Sequence, residues 1–225
     1  MGVITDDHPD LPAFIEAKRQ KGRMTNFNIS VLVTDAFMDA VAQDEEWALG
    51  FNIPKADNSH VSVVDRDEGP WYVYQTIKAR ELWDMIIRNT YEYSEPGVIF
   101  IDRINDQNNL KYCEDIRATN PCGEQPLPPY GTCNLGAVNL ARMVKDPFGD
   151  YPQFDFPLLQ RVVRVGVRFL DNVIDTTGYP LVEQRNEEHN KRRIGLGITG
   201  LGNALAMMKL RYGTEGSLSL SLIHI

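Results

Sequence analysis

Apolar residues along this chain alternate between short β-type runs and longer runs at helical spacing. His8-Pro9-Asp10 ahead of Leu11, Ala13, Phe14 and Ile15 predicts a helix to about Lys18, with Asp10 as N-cap and proline in the first turn. Phe27 to Val33 is β-rich, with Phe27, Ile29, Val31 and Val33 expected on one face. Thr34-Asp35 then caps a short helix through about Gln43. Val61–Val64 and Trp71–Tyr74 flank Asp67-Glu68-Gly69-Pro70, the signature of a hairpin. From Thr76 to Tyr93 the spacing turns helical, with Ile77, Leu82, Trp83, Ile86 and Ile87 as the expected buried stripe. Val98 to Ile101 reads as a buried strand, Phe156 to Asp175 as a long helix, and Gly200 to Leu210 as another. Strands and helices alternate with one hairpin inserted, which predicts an α/β layer or barrel and leaves the two open.

Charge and composition narrow the function classes. The 225 residues are 43% hydrophobic and 24% charged, ordinary for a soluble domain. A formal charge of -8 offers no basic stripe for nucleic acid or a membrane surface. No run approaches the ~18 apolar residues of a membrane helix, and no signal pattern opens the chain. A cytoplasmic protein is expected. Three cysteines fit a reducing compartment. None is paired at zinc-site spacing, and the four histidines stand apart, so no metal site is expected. Gly195-Leu196-Gly197-Ile198-Thr199-Gly200 matches the dinucleotide fingerprint, yet Glu187 to Arg193 ahead of it cannot be a buried strand. These glycines are read instead as letting a strand or helix start pack closely.

The chemistry is concentrated in Asn120-Pro121-Cys122-Gly123-Glu124-Gln125-Pro126-Leu127, with Cys133 eleven residues after Cys122. Pro121 fixes its own φ and disfavours a helical Asn120, so an extended segment is expected. Amide, thiol and carboxylate at alternate positions would then share one face and converge on one cavity, flanked by the strands near Phe27 and Val98. Gly123 leaves space for a ligand, and Pro126, Pro128 and Pro129 stiffen the backbone beyond Gln125. Cys113 has no such context and is read as structural, the small buried hydrophobe that most single cysteines are.

This segment resembles the finger loop of ribonucleotide reductases, and its wording resembles the adenosylcobalamin-dependent (class II) branch. Thr25 to Val31, Pro96 to Asp102 and Arg192 to Gly197 match in the same order, so the resemblance covers residues 1–217. It implies part of a ten-stranded α/β barrel with a central finger loop. It further implies that Cys122 becomes a thiyl radical that abstracts the ribose 3′-hydrogen. Glu124 would take the 3′-hydroxyl proton, Asn120 would orient the ribose, and Cys133 would be one of two reducing thiols. Adenosylcobalamin is the implied cofactor. A ribonucleoside di- or triphosphate is the implied substrate, a thioredoxin-like or dithiol reductant the partner, and a homodimer the full-length state. The partner of Cys133 is expected outside this chain, so the piece alone is expected to be inactive. Residues 218–225 do not fit the family and are read as a non-native, adapter-derived tail.

Two other readings stay open. A class I large subunit would need a separate metal-bearing subunit. A non-catalytic α/β binding protein would use Asn120, Cys122 and Glu124 only to satisfy buried hydrogen bonds. A thiol-redox protein is disfavoured, since two thiols eleven apart have no local geometry that brings them together.

Overall fold

The computed structural model describes all residues except 21, 56–58, 60, 68 and 223–225. The chain divides into two compact units, Met1–Pro129 and Tyr130–Ile225.

The first unit is built on strand β1 (Gly2–Thr5), helix α1 (Leu11–Ile15), β2 (Ile29–Val33), α2 (Asp35–Gln43), β3 (Glu46–Phe51), β4 (Ser62–Arg66), β5 (Gly69–Lys78), α3 (Ala79–Tyr93), β6 (Gly97–Phe100), α4 (Ile101–Gln107), β7 (Ala118–Thr119) and β8 (Pro126–Leu127). A parallel sheet of order β1-β2-β6 sets Val31 opposite both Ile4 and Val98. All five residues of β2 are buried, as befits the central strand of a parallel sheet covered on both faces. The alternation expected from Phe27 is therefore absent, and Phe27 lies outside the strand and is exposed. Phe37, Ala40 and Val41 of α2 and Ala79, Leu82 and Ile86 of α3 complete the core against Val31 and Val33. Thr34 caps α2 as expected, its hydroxyl accepting from the Phe37 amide at 3.1 Å.

Other boundaries moved. Helix α1 stops at Ile15, and Asp10 makes no side-chain cap. Residues 76–78 finish β5, because β3, unrecognised in the sequence, pairs with it along its length and claims Thr76 and Ile77. The helix that follows buries Asn89 and exposes Ile87. The expected hairpin is β4–β5, its turn partly outside the described residues. At Gly50 a Cβ would stand 2.4 Å from the Tyr72 carbonyl, so only glycine allows that approach. Ile101 starts α4 rather than ending a strand.

Asp6, at the end of β1, is buried, and its Oδ2 accepts both the amide and the hydroxyl of Thr34 at 2.7 Å. Burial raises its pKa from 3.8 to about 6, against the opposing effect of those bonds. Between these values the folded protein holds a proton that the unfolded chain has lost. This carboxyl therefore costs nothing below about pH 4, destabilises progressively as pH rises from about 4 to about 6, and holds its full cost above that. Asp6→Asn keeps an acceptor for Thr34 and removes the charge. Relative to the parent, its stability in denaturant titrations should improve by roughly 2–3 kcal/mol between about pH 3 and about pH 8. A pH-independent difference would contradict this.

The second unit holds β9 (Asn134–Asn139), a 3₁₀ turn (Leu140–Met143), β10 (Val144–Lys145), β11 (Gln153–Phe154), α5 (Phe156–Thr176), α6 (Val182–Lys191), β12 (Ile194–Thr199), α7 (Leu201–Met207) and α8 (Glu215–Leu222). β9 and β12 pair in parallel over six residues, from Asn134↔Ile194 to Asn139↔Thr199. α5 is the long helix expected, capped by Asp155, whose Oδ1 accepts from the Leu158 amide. Val138, Leu140, Met143 and Ala204 form the local core, with Leu158, Val162 and Leu196 packed on it. Gly195 and Gly197 lie inside β12 rather than in a phosphate-binding turn. Arg192, in the left-handed region just before β12, ties α6 back to Asp171 at 2.7 Å and Asp175 at 2.8 Å. Residues to 222 continue as helix α8, and 223–225 of the suspected tail lie outside the described residues.

The fold is mixed α/β. Among the described residues the strands form separate two- and three-stranded sheets, and no barrel closes. Among the described residues the parallel-paired strands are β1, β2 and β6 in one unit and β9 and β12 in the other. No described helix is long and apolar enough to cross a membrane.

Candidate active site

The segment 120–125 is not extended. It is the turn of the hairpin β7–β8, where Ala118 pairs with Leu127 and Thr119 with Pro126. The Gly123 amide donates to the Asn120 carbonyl at 3.0 Å, which makes 120–123 a tight turn with Pro121 and Cys122 at its centre. Asn120 and Gln125 close it from both sides. The Asn120 amide donates to the Gln125 carbonyl, and the Gln125 amide donates to Asn120 Oδ1 at 3.0 Å. The Thr119 hydroxyl adds a bond to the Asn120 carbonyl at 2.9 Å. Proline's fixed φ suits the second position of a turn as well as a strand, and Gly123 takes φ +81° at no steric cost. The expectation of alternate residues on one face fails for that reason.

The turn holds Cys122 at the edge of a cavity of about 670 Å³, lined also by Ile29 and Ser30 of β2 and by Gly97 and Val98 of β6. The flanking strands are thus the expected ones. Cys122 is exposed within this open cleft. Asn120 and Glu124 do not line it: Asn120 is half-buried with its side-chain oxygen spent on the turn, and Glu124 is exposed. The structure therefore brings one of the three expected side chains to the cavity. Glu95, Arg103 and Gln107 line it too and carry no signal in the sequence that singles them out. Glu95 is ion-paired with Lys18 and accepts the Ile29 amide at 3.0 Å, while Arg103 pairs with Asp35 at 2.8 Å. Arg103 and Gln107 are hidden because α4, which carries them, begins where the apolar run suggests the end of a strand.

Cys133 belongs to the second unit, directly before β9, and is half-buried. Burial raises its thiol pKa, Arg193 opposes the rise, and Glu188 adds to it. Glu188 does not stand out in the sequence, where it is one acid in a charged helix. Cys113 is exposed, which contradicts the buried structural role expected for it. Among the described residues no group of three or more histidine, cysteine or acidic side chains could hold a metal ion.

Comparison with known proteins adds the family. The family described as "Ribonucleotide reductase, barrel domain" matches residues 1–222. The chain is 37% identical, over 98% of its length, to a vitamin B12-dependent ribonucleoside-diphosphate reductase of Thermoplasma acidophilum, of which it covers 26%. It is equally 37% identical over 98% of its length to the protein of that name in Mycobacterium tuberculosis, of which it covers 29%. A ribonucleoside-diphosphate reductase large subunit of Caenorhabditis elegans is 29% identical over 90% of the chain, and the chain covers 27% of it.

Proposed function

From the premise that this chain belongs to the ribonucleotide reductase barrel-domain family, we propose that it is part of the catalytic chain of an adenosylcobalamin-dependent enzyme that converts ribonucleotides to 2′-deoxyribonucleotides. The chain spans about a quarter of the relatives it matches, so the activity belongs to the whole protein. The observation that carries the reading is Cys122, an exposed thiol on a rigid turn at the edge of a cavity, in the chain's most reductase-like segment. Identity of 37% to two relatives named as B12-dependent, against 29% to the large subunit from C. elegans, favours the cobalamin branch over class I.

Replacing a 2′-hydroxyl by hydrogen is hard because hydroxide leaves poorly, and radical chemistry avoids that step. Exposure of Cys122 fits a bulky cofactor, since its sulfur can be approached from outside. Adenosylcobalamin, when bound beside the exposed Cys122 thiol, would supply the radical chemistry that activates its sulfur. Cys122 then takes the ribose 3′-hydrogen. Glu124 serves as general base for the 3′-hydroxyl, a role open to an exposed carboxylate on the same turn. Asn120 orients the ribose through its amide nitrogen, while its oxygen holds the turn. Cys133 and a second thiol supply the reducing equivalents and close as a disulfide, reopened by a dithiol or thioredoxin-like partner. In the whole protein these strands would join others in the family's ten-stranded barrel, in a cytoplasmic homodimer. The 225-residue piece is expected to be inactive alone, with residues 1–217 as barrel and 218–225 as a non-native tail.

The intact protein, assayed with ribonucleotide and a dithiol, should form deoxyribonucleotide only when adenosylcobalamin is added. Full activity without it, supported by an iron- or manganese-bearing partner, would reject this reading in favour of class I.

A further inference from the structure

Cys133 and Glu188 meet where the second unit's parallel strands begin. Glu188, on α6, is 1% exposed. Its Oε1 accepts the Thr132 amide at 2.5 Å, and its Oε2 is buried with no hydrogen-bond partner. A carboxylate left half-satisfied in the interior is costly and calls for an explanation. The neighbouring geometry offers one. The β9–β12 register starts at Asn134↔Ile194, so Cys133 and Arg193 are the two residues just ahead of the paired rows. Gly195 lies beside the sulfur: a Cβ there would make an ordinary contact with Cys133 Sγ at 3.8 Å, and its tight contact would be with Leu135 Cδ2 at 2.6 Å. Titratable groups that act on Cys133 are Arg193 and Glu188, and Tyr179 also feels the Glu188 charge. Of the other ionisable residues of α6, Glu187 pairs with Lys191 at 2.6 Å and approaches Arg193 at 3.9 Å, and His189 approaches Asp175 at 3.9 Å.

We propose that Glu188 is a positioning residue for the Cys133 thiol: Oε1 fixes the Thr132–Cys133 backbone, and its negative charge offsets Arg193 and adds to burial in favouring the protonated sulfur. This rests on the reading of Cys133 as a reducing thiol. Net reduction turns one C2′–OH and two S–H groups into C2′–H, water and one S–S bond. Each thiol thus gives one hydrogen, as an electron and a proton. A thiolate at rest has lost the proton it must deliver, so a group that holds Cys133 in its neutral form serves that step. Glu188 acts through Cys133 and need not touch substrate.

The test isolates Cys133 in this chain with Cys113→Ser and Cys122→Ser and follows its alkylation by iodoacetamide from about pH 6 to about pH 10. In this parent the thiol should titrate above the ordinary cysteine value of about 8.5, and a midpoint at or below it overturns the proposal. Glu188→Gln keeps an acceptor for the Thr132 amide and removes the charge. It should speed alkylation on the acid side of the midpoint by about three- to tenfold, because more of the thiol is then ionised at a given pH. Glu188→Asp restores the charge and should return the rate to near the parent's. Equal rates for Gln and the parent, or equal acceleration in Gln and Asp, overturn the proposal, the latter because it points to loosened packing. Alkylation needs no turnover, so this result is independent of whether Cys133 proves to be a reductant.

Discussion

On the proposed function, Cys122→Ser in the intact protein is expected to abolish deoxyribonucleotide formation, to below about one thousandth of the parent rate. A rise of only ~4 kcal/mol in the barrier gives such a loss, and a hydroxyl yields its hydrogen atom far less readily than a thiol. The turn offers no substitute, since its neighbours Pro121 and Gly123 carry no thiol and Cys113 does not line the cavity. The loss should not come from unfolding. The turn is closed by backbone bonds and by the Asn120 side chain, none of which uses the Cys122 sulfur. Stability of the exposed substitution should stay within about 0.5 kcal/mol of the parent. A product assay paired with a thermal melt separates the two effects. Cofactor cleavage linked to the thiyl radical should vanish as well, whereas Cys113→Ser should remain largely active. Retention of a tenth or more of the activity by Cys122→Ser would remove Cys122 from the radical step.

Cys133→Ser should fail differently. Starting the radical and supplying two electrons are separate tasks, so the variant should still generate the radical at Cys122. With one thiol missing it should form at most about one product per site and then stall or inactivate. A rapid-quench measurement of product against enzyme concentration reads this directly. Structural damage is not expected, because the β9–β12 ladder begins one residue later and runs through backbone groups. Sustained turnover would mean that another thiol is the reductant.

Local signals in the sequence were dependable where one neighbouring group decides the backbone. Thr34 capped α2, Phe156 opened the long helix, and the acidic and basic residues ahead of Gly195 ruled out a dinucleotide turn. Errors gathered where a distant segment competes. Residues 76–78 carry helical spacing yet are held by β3, more than twenty residues earlier. Pro121 is compatible with a strand or a turn, and the Asn120–Gln125 bonds chose the turn.

By itself the sequence determined the α/β class, the reductase-like motifs and Cys122 as the residue to watch, because these depend on residue identity and local spacing. Only the tertiary structure decided that Cys122 alone of its triad reaches the cavity, that Asp6 is buried under Thr34, and that Glu188 stands behind Cys133. Those facts depend on which side chains are taken out of water and beside which partners. Segments dozens of residues apart set that environment, and no local pattern encodes it.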